Sequence, residues 1–366
     1  MEIHVFIAHM GIGGSQRVCI NLANEWADRG HEVHIVVLDL ENDIYTSNLR
    51  ESIKIHELGV SRLRYSMLPM LKYIKKNRPP FMLIFGSEMA IILNKLRSLH
   101  LINIPLVVRV LNNVNISLSK EDNVSPVVEE YLQKSLSVFS KMEHLVAQCE
   151  AMGQQLLECG IAKKDKLTVI YNPVSEDLLK KVWSKTIKND ESVNREITFI
   201  GRIDPQKNPV HLIEAFEMVH KKLPDVRLRM VGGGNLNNQI KQLVQSKGLT
   251  EYVSFDGIRN DMENVYSNAT VVALSSDYEG MPNCLIEAIG CGIPVVSYDC
   301  PLGPSEIIVD DVNGYLVPFH DVNALADKLV EALERKWDRE AIAKTCDKFR
   351  ASVAADAFEG IFNKLQ

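Results

Sequence analysis

Residues 277–296 read DYEGMPNCLIEAIGCGIPVV, and the interpretation of the whole chain begins with this stretch. Its two carboxylates, Glu279 and Glu287, lie eight positions apart. The turn between them leads into a predicted helix, and Pro282 suits the first helical position because proline has no N–H group to leave unpaired there. Gly290 and Gly292 are expected to end the helix, and IPVVS then forms a strand. The stretch therefore predicts a turn, a helix and a buried strand.

The start of this helix lies between the two carboxylates. Glu279 precedes the helix, and Glu287 is about one and a half turns inside it, a separation of roughly 12 Å of rise at most. A helix N-terminus presents free N–H groups and the positive end of the helix dipole, which together bind phosphate. One carboxylate on each side of a phosphate site can accept hydrogen bonds from sugar hydroxyls. The arrangement predicts a site for the two ends of a nucleotide-sugar.

The pattern E-x7-E followed by G-x-P-V-V resembles the retaining glycosyltransferases of the GT-B fold, specifically glycosyltransferase family 4. The resemblance implies that Glu279 holds the donor sugar and that Glu287 holds the ribose. It also implies that no metal ion or other cofactor is needed, since cations and a helix dipole replace it. On this basis the fold class is α/β, with two doubly wound, Rossmann-like domains facing across a cleft.

A second motif follows a predicted strand at residues 196–200. The loop GRIDPQKN, residues 201–208, contains two cations, Arg202 and Lys207, and it matches the G-R-x-x-x-x-K-N signature of the family. Fixed positive charge at a strand-to-helix loop suits a departing diphosphate, because Arg offers a planar fork and Lys a point charge. We therefore expect Glu279, Arg202 and Lys207 to be the catalytic residues.

Glycines and nearby residues complete the predicted donor site. Gly232 opens a triple-glycine loop that allows close backbone approach to a nucleotide. By resemblance, Ile258 lies along the base, and Gly13 and Gly14 of a G-G-x-x-R segment meet the donor phosphate or sugar. The predicted donor-binding residues are Gly13, Gly14, Arg202, Lys207, Gly232, Ile258, Glu279, Gly280, Met281, Asn283, Cys284, Leu285 and Glu287.

The first half of the chain begins with a strand, a glycine loop, a helix and a second strand, which open a parallel sheet. Two alternatives remain for the loop: a tight turn without a ligand, or a dehydrogenase site in which Asp39 or Glu41 binds ribose. Family members often place a histidine after the strand at residues 105–110, but this chain has Leu111 or Asn112 there. Asn112 and Asn113 are candidate acceptor contacts, although loop asparagines usually bond their own backbone.

The length of 366 residues predicts two domains. We expect an acceptor-side domain of residues 1–171 plus about 350–366, because the last helix of GT-B chains returns to the first domain. Residues 172–349 are expected to form the nucleotide-sugar-binding domain, starting at the N-P-V segment 172–174.

Composition excludes several classes of protein. The net charge of −6 argues against nucleic acid as a ligand. Seven scattered cysteines without C-x-x-C favour reduced thiols in the cytoplasm, and the histidines lack the spacing of common metal motifs. Neither a secretory signal nor an apolar run of about 18 residues is found. Residues 61–97 carry eight basic residues and one acid, so they form either a basic amphipathic helix on the anionic inner face of the membrane or a solvated domain face.

These observations favour a retaining, metal-independent glycosyltransferase. It is expected to move a hexosyl or N-acetylhexosaminyl group from a nucleotide-diphosphate sugar, UDP-linked by resemblance to bacterial polysaccharide enzymes. The acceptor is expected to be a hydroxyl of a saccharide or lipid-linked saccharide. The alternatives are a sugar-nucleotide epimerase of the same fold and a non-catalytic sugar-nucleotide-binding protein.

Overall fold

A computed structural model describes residues 1–41, 43–111, 136–186 and 195–366. The chain divides into two compact units. The first consists of Met1–Pro173 together with Ala351–Gln366, and the second of Val174–Arg350. The boundaries expected from the sequence, after residue 171 and near residue 350, lie within two residues of these divisions.

The first unit contains a sheet of seven strands in the order β3-β2-β1-β4-β5-β6-β7. Every paired neighbour in this sheet is parallel. The strands are β1 (Glu2–Phe6), β2 (Glu32–Val37), β3 (Lys54–Glu57), β4 (Met82–Phe85), β5 (Leu106–Arg109), β6 (His144–Ala147) and β7 (Leu167–Val169). Parallel strands need crossover connections, and the helices that make them cover both faces of the sheet.

The helices of this unit come from both ends of its sequence. Among the described residues before Pro173 they include α1 (Gly14–Asp28), α2 (Met67–Asn77), α3 (Glu88–Ser98) and α4 (Glu150–Glu158). The C-terminal helix, Ala351–Phe362, packs on α1, where Phe358 lies 5.7 Å from the ring of Trp26. Arg29, the residue directly after α1, also pairs with Asp356 and Glu359 of that helix. The end of the chain therefore belongs to the core of the first unit.

The basic segment 61–97 does not form one helix. It forms α2, the buried strand β4 and α3, so the basic amphipathic helix of its first half is α2. Pro69 lies in the first turn of α2, where a missing N–H is tolerated, and the chain must then return as a strand to extend the sheet. Tyr65 and Leu68 remain 57% and 64% exposed at the start of this segment.

The second unit contains a sheet of six strands in the order β10-β9-β8-β11-β12-β13. All neighbours are again parallel. The strands are β8 (Glu196–Ile200), β9 (Arg227–Val231), β10 (Val253–Gly257), β11 (Val271–Leu274), β12 (Val295–Tyr298) and β13 (Gly314–Val317). This 3-2-1-4-5-6 order is that of the doubly wound dinucleotide-binding fold, so the α/β fold class with two Rossmann-like units is confirmed.

The helices of the second unit lie on both faces of its sheet and bury a continuous apolar core that includes Phe199, Phe216 and Leu329. They are α5 (Glu176–Thr186), α6 (Pro209–Lys222), α7 (Asn237–Ser246), α8 (Met262–Asn268), α9 (Asn283–Gly290), α10 (Pro304–Ile307), α11 (Val322–Glu334) and α12 (Arg339–Lys344). Asn208 and Asp321 cap α6 and α11 by accepting backbone N–H bonds, as expected for Asn and Asp at that position.

Two further features bear on the cellular setting. All seven cysteines are free, and only Cys159 is exposed among them. Within the part of the chain that the structure describes, no helix combines the length and the apolar character needed to cross a bilayer.

We predict that Gly314→Ala strongly destabilises the second unit. A Cβ atom at Gly314 would lie 1.9 Å from the carbonyl oxygen of Val295, so β12 and β13 would have to separate. A cost of about 3 kcal/mol corresponds to a thermal midpoint lower by about 6 to 12 °C. Thermal unfolding followed by circular dichroism measures the change.

Gly360→Ala is the matched control for this substitution. Gly360 lies within the C-terminal helix, and no atom outside its own helix lies within 4 Å of a Cβ built there. Alanine is favoured over glycine inside helices by roughly 0.5–1 kcal/mol, so this variant should unfold at a slightly higher temperature. Equal midpoints for the two variants would show that the strand contact at Gly314 is not tight.

Candidate active site

The order of strands in the second sheet marks one position at its edge. From β8 the chain moves to β9 on one side, whereas from β11 it moves to β12 on the other. Loops that leave two neighbouring strands in opposite directions open a crevice, and ligands of doubly wound folds bind at this switch point. The loops in question follow Ile200 and Leu274, and they contain both motifs that the sequence analysis singled out.

An ion pair joins these two loops. The Nζ atom of Lys207 donates to Oε1 of Glu279 at 2.5 Å. The two side chains are only 14% and 6% exposed. Burial alone would lower the pKa of Lys207, but the neighbouring Glu279 carboxylate reverses this effect, and the pKa of Lys207 is raised overall. A charged lysine and a carboxylate are thus held side by side at the switch point.

The loops are fastened to each other around this pair. The carboxylate of Asp204 accepts the N–H of Lys207 at 3.2 Å and caps the short 3₁₀ turn that carries the lysine. Asn208, in a left-handed conformation, donates its side-chain amide to Asp277 at 2.8 Å. The buried hydroxyl of Ser275 donates to the carbonyls of Lys207 and Asn208. These bonds fix where the lysine can reach.

Asp277 has a second side-chain partner, which comes from the segment after β13. Nε2 of His320 lies 2.9 Å from the same carboxylate oxygen. The Asp277 N–H donates to the carbonyl of Gln206 at 2.8 Å, which adds a direct backbone bond between the two loops.

Arg202 differs from Lys207 in its surroundings. Its side chain is 67% exposed and lies 3.2 Å from Asp204. Its guanidinium also donates to Oε1 of Gln206 at 2.6 Å, and Gln206 in turn donates to the Tyr278 carbonyl. Arg202 therefore lies on the rim of the site, close to the second loop but open to solvent.

The helix α9 begins one residue later than the sequence predicts. Pro282 is the residue before the helix, with an extended backbone, and Asn283 is the first helical residue. The correction has a physical reason: the Pro282 carbonyl accepts the first helical N–H groups, those of Leu285 and Ile286. The helix still begins between Glu279 and Glu287 in the chain, as predicted.

Glu287 is 3% exposed, and its Oε2 accepts a 2.5 Å hydrogen bond from the hydroxyl of Tyr266 in α8. Sequence reasoning missed Tyr266, because a tyrosine 21 positions before the glutamate carries no recognisable spacing. Glu287 and Glu279 thus have different partners, a hydroxyl in one case and an ammonium group in the other.

Three predicted donor residues contribute little side-chain surface. Met281 and Cys284 are 6% and 7% exposed, and Leu285 is fully buried. Burial raises the pKa of the Cys284 thiol to about 12, which leaves it a neutral, small side chain rather than a nucleophile. Contacts from these residues to a ligand would therefore come from the backbone.

Two glycines at the edge of this sheet lie against neighbouring loops with no room for a side chain. A Cβ at Gly232, which has φ +138°, would lie 1.8 Å from the Gly201 carbonyl oxygen. A Cβ at Gly303 would lie 2.7 Å from Cδ of Pro282. The sequence predicts that Gly232 leaves space for a nucleotide. The structure adds a second reason for glycine at this position, because the Gly201 carbonyl in the loop after β8 leaves no room for a side chain. Ile258 is 56% exposed, and its side chain lies beside Gly233.

The predicted site residues from the first half of the chain do not belong to the second unit. Gly13 and Gly14 lie in the first unit, where Gly13 precedes α1 and Gly14 is its first residue. Asn112 and Asn113 lie outside the described residues. The position where the family often has a histidine is Leu111, which the structure describes, or Asn112, which it does not.

Two family models match this chain. Residues 12–178 match the model described as glycosyltransferase family 4, and residues 184–349 match the model described as glycosyl transferases group 1. The first match ends at residue 178 and the second begins at residue 184, shortly after the boundary between the two units at Pro173 and Val174.

Curated relatives and solved structures agree with these matches. A poly(glycerol-phosphate) alpha-glucosyltransferase of Bacillus subtilis is 25% identical over 217 residues, which are 58% of this chain but only 32% of that protein. The Campylobacter jejuni N-acetylgalactosamine-N,N'-diacetylbacillosaminyl-diphospho-undecaprenol 4-alpha-N-acetylgalactosaminyltransferase is 24% identical over 98% of this chain and 96% of its own length.

Among solved structures, Anabaena HepE in complex with UDP-glucose has a TM-score of 0.79 with 18% identity and full coverage of both chains. At that identity the likeness concerns the fold. Both halves of the chain match a glycosyltransferase model, and both units have the expected sheet. The chain therefore has the GT-B fold, its first half matches the glycosyltransferase family 4 model, and its second half matches the model of glycosyl transferases group 1.

Proposed function

We propose that this protein is a retaining glycosyltransferase that moves a hexosyl or N-acetylhexosaminyl group from a nucleotide-diphosphate sugar to a hydroxyl of a saccharide or lipid-linked saccharide. The observation that supports it most directly is the buried Lys207–Glu279 pair at the switch point of the second sheet. Such a pair offers a fixed cation for phosphate oxygens beside a carboxylate for sugar hydroxyls.

The proposed chemistry assigns a role to each of these groups. The bond between the anomeric carbon and the diphosphate breaks, and its electron pair leaves with the phosphate oxygen. Lys207 and the exposed Arg202 offset the negative charge that develops there. The acceptor oxygen bonds to the anomeric carbon on the same face, and its proton passes to the departing phosphate. No metal ion is required in this route.

The carboxylates position the donor. Glu279 accepts hydrogen bonds from donor sugar hydroxyls, and Lys207 keeps that carboxylate in place. Glu287 accepts a hydrogen bond from the ribose, and the Tyr266 hydroxyl orients its carboxylate. Backbone N–H groups at the start of α9 face the phosphates, in keeping with anion binding at helix N-termini.

The comparisons favour particular ligands. The structure of HepE contains UDP-glucose, and the Campylobacter relative is named for a diphospho-undecaprenol saccharide. By analogy we propose a UDP-sugar donor and a lipid-linked or polymeric acceptor used in cell-surface polysaccharide synthesis.

A donor panel tests the proposal and separates it from its rivals. The full-length protein is incubated with UDP-, GDP- and dTDP-sugars, with and without saccharide acceptors, in buffer containing EDTA. We expect release of UDP only when an acceptor is present, and an α-linked product from an α-linked donor in the NMR spectrum. Conversion of the donor without an acceptor would identify an epimerase, and tight binding without any turnover a binding protein.

We predict that Lys207→Ala lowers the turnover number at least about 100-fold, since removal of one preorganised donor to a developing anion typically costs this much. Turnover is measured as acceptor-dependent UDP release. Glu279→Gln should cause a loss of similar size, because the glutamine cannot hold the sugar hydroxyls as a carboxylate does.

Lys221→Ala provides the control for this comparison. Lys221 also pairs with a glutamate, Glu217, but on the exposed surface of α6. Its loss should leave turnover within about twofold of the unmodified protein, as expected for a surface pair. If Lys207→Ala folds normally and keeps near-normal turnover, the diphosphate assignment is wrong.

We propose the cytoplasm, at the inner face of the membrane, as the place of action, with contact through the start of segment 61–97. Leu68 and Lys72 lie one turn apart on the exposed surface of α2, near Tyr65 and Lys75. Exposed apolar groups among cations are what an anionic lipid surface attracts.

We predict that Lys72→Glu combined with Lys75→Glu lowers the affinity for vesicles containing phosphatidylglycerol, measured by co-sedimentation, at least about 30-fold, since each basic residue near such a surface contributes about 1 kcal/mol. Lys163→Glu combined with Lys164→Glu makes the same charge change at another exposed site of the first unit. Equal losses in the two double variants would show that net charge, not this surface, governs binding.

A further inference from the structure

His320 has a backbone conformation that residues with a side chain seldom adopt. It follows β13 and has a φ of +63°, in the left-handed region. A residue other than glycine is strained in this region, because its Cβ atom comes too close to a backbone carbonyl oxygen. Residues held in such a conformation cluster at functional sites, where the surrounding structure keeps them in place. The contacts of the imidazole ring therefore indicate what this residue does.

The imidazole ring bonds to a carboxylate in the candidate active site. Nε2 of His320 lies 2.9 Å from Oδ1 of Asp277. An ionised carboxylate only accepts hydrogen bonds, so Nε2 is the donor. The two side chains are 48% and 37% exposed, and a surface pair of this kind adds little to the free energy of folding. Stability alone therefore does not account for a strained histidine at this position.

Asp277 connects the histidine to the loop that contains Lys207. The same Oδ1 atom accepts a hydrogen bond from the side-chain amide of Asn208 at 2.8 Å, and Asn208 directly follows the lysine. In this orientation the amide oxygen of Asn208 accepts the N–H of His211 at 3.4 Å and caps α6. Asn208 is itself left-handed, with a φ of +42°. Its side chain therefore fixes a tight turn of the backbone directly after the lysine.

The imidazole ring of His320 is held by neighbouring rings. The Phe319 ring stacks on it with centroids 3.8 Å apart, and the His211 ring meets it edge-on at 5.2 Å. Nδ1 of His211 lies 3.2 Å from the hydroxyl of Tyr298 in β12, which fixes the His211 ring in turn. The donor to Asp277 is thus locked by packing, as a group that positions others needs to be.

We propose that His320 is a positioning residue for the proposed sugar transfer and that it acts on Lys207 without contacting the donor. By holding the Asp277 carboxylate against Asn208, the imidazole keeps the turn beside the lysine in one arrangement. The same contact fixes the start of the segment that leads from Asp277 to Glu279. The inference rests on the proposed function, in which Lys207 is the cation that faces the departing diphosphate.

The position of Lys207 matters chiefly in the transition state. The ammonium group offsets charge that develops only as the diphosphate leaves, so a displaced lysine weakens catalysis more than donor binding. A misplacement of about 1 Å in a catalytic group can lower turnover about 100-fold. Loss of the His320 contact should therefore lower the turnover number and leave the KM for the donor nearly unchanged.

His320→Gly tests this assignment in the full-length protein. Glycine adopts the left-handed conformation without strain, so the thermal midpoint should stay within about 2 °C of the unmodified protein. The turnover number for acceptor-dependent UDP release should fall about tenfold, and the KM for the donor should change less than about threefold. An unchanged turnover number, or a midpoint lowered by much more, would overturn the positioning role.

His320→Gln is the conservative variant. Its side-chain amide can donate to Asp277 from nearly the same reach as Nε2, so turnover should stay within about threefold of the unmodified protein. A loss as large as that of His320→Gly would show that the bond to Asp277 is not the cause.

Asp311→Gly is the matched control. Asp311 is also left-handed, with a φ of +62°, and its carboxylate lies 2.7 Å from Arg335 in a surface pair. It precedes β13, in a segment that contributes no residue to the predicted site. The same backbone relief and the loss of one surface pair should leave turnover within about twofold of the unmodified protein. A loss equal to that of His320→Gly would overturn the assignment.

Hydrogen exchange separates this proposal from the proposed function. The N–H of Asp277 donates to the carbonyl of Gln206, so its exchange reports whether the two loops stay together. We expect severalfold faster exchange in peptides covering residues 201–208 and 275–279 of His320→Gly, and no change in Asp311→Gly. This measurement needs no substrate. Absence of turnover in the unmodified protein would contradict the proposed function, whereas unchanged exchange in His320→Gly would overturn the positioning role.

Discussion

The second unit depends on a buried contact between opposite charges, Lys207 with Glu279. Removing an ammonium group and a carboxylate from water costs several kcal/mol each, and a good hydrogen bond between them offsets this only when geometry is close. The pair therefore needs loops that do not drift. A buried pair also differs from the surface pairs of this chain, because its attraction is little screened by salt.

The neighbouring contacts explain how that geometry is maintained. Asp204 caps the turn before the lysine, Ser275 binds two carbonyls of the same turn, and Asn208 reaches across to Asp277. Gly232 allows the loop after β9 to approach the Gly201 carbonyl, where any side chain would collide. The result is a polar site supported by short side chains that bond the backbone and one another, as preorganised sites require.

The two units share a strand order but use their sheets differently. In the first, a seventh strand extends the same 3-2-1-4-5-6 arrangement, and one face contains a stack of histidines at the start of the strands, His4, His34 and His56. In the second, the interior is apolar and the polar chemistry lies beyond the carboxyl ends of the strands. The same strand order thus places polar groups at different positions in the two units.

The sequence by itself determined the class of fold and the two motifs of the second unit, because strand-loop-helix patterns and the E-x7-E and G-R-x-x-x-x-K-N spacings are local. It also predicted two units with a linker after residue 171. Only the tertiary structure decided which side chains meet. Lys207 and Glu279 are 72 positions apart, Tyr266 and Glu287 are 21 apart, and Asp277 and His320 are 43 apart. Parallel sheets join distant segments through crossovers, so contacts across neighbouring strands leave no fixed spacing in the chain.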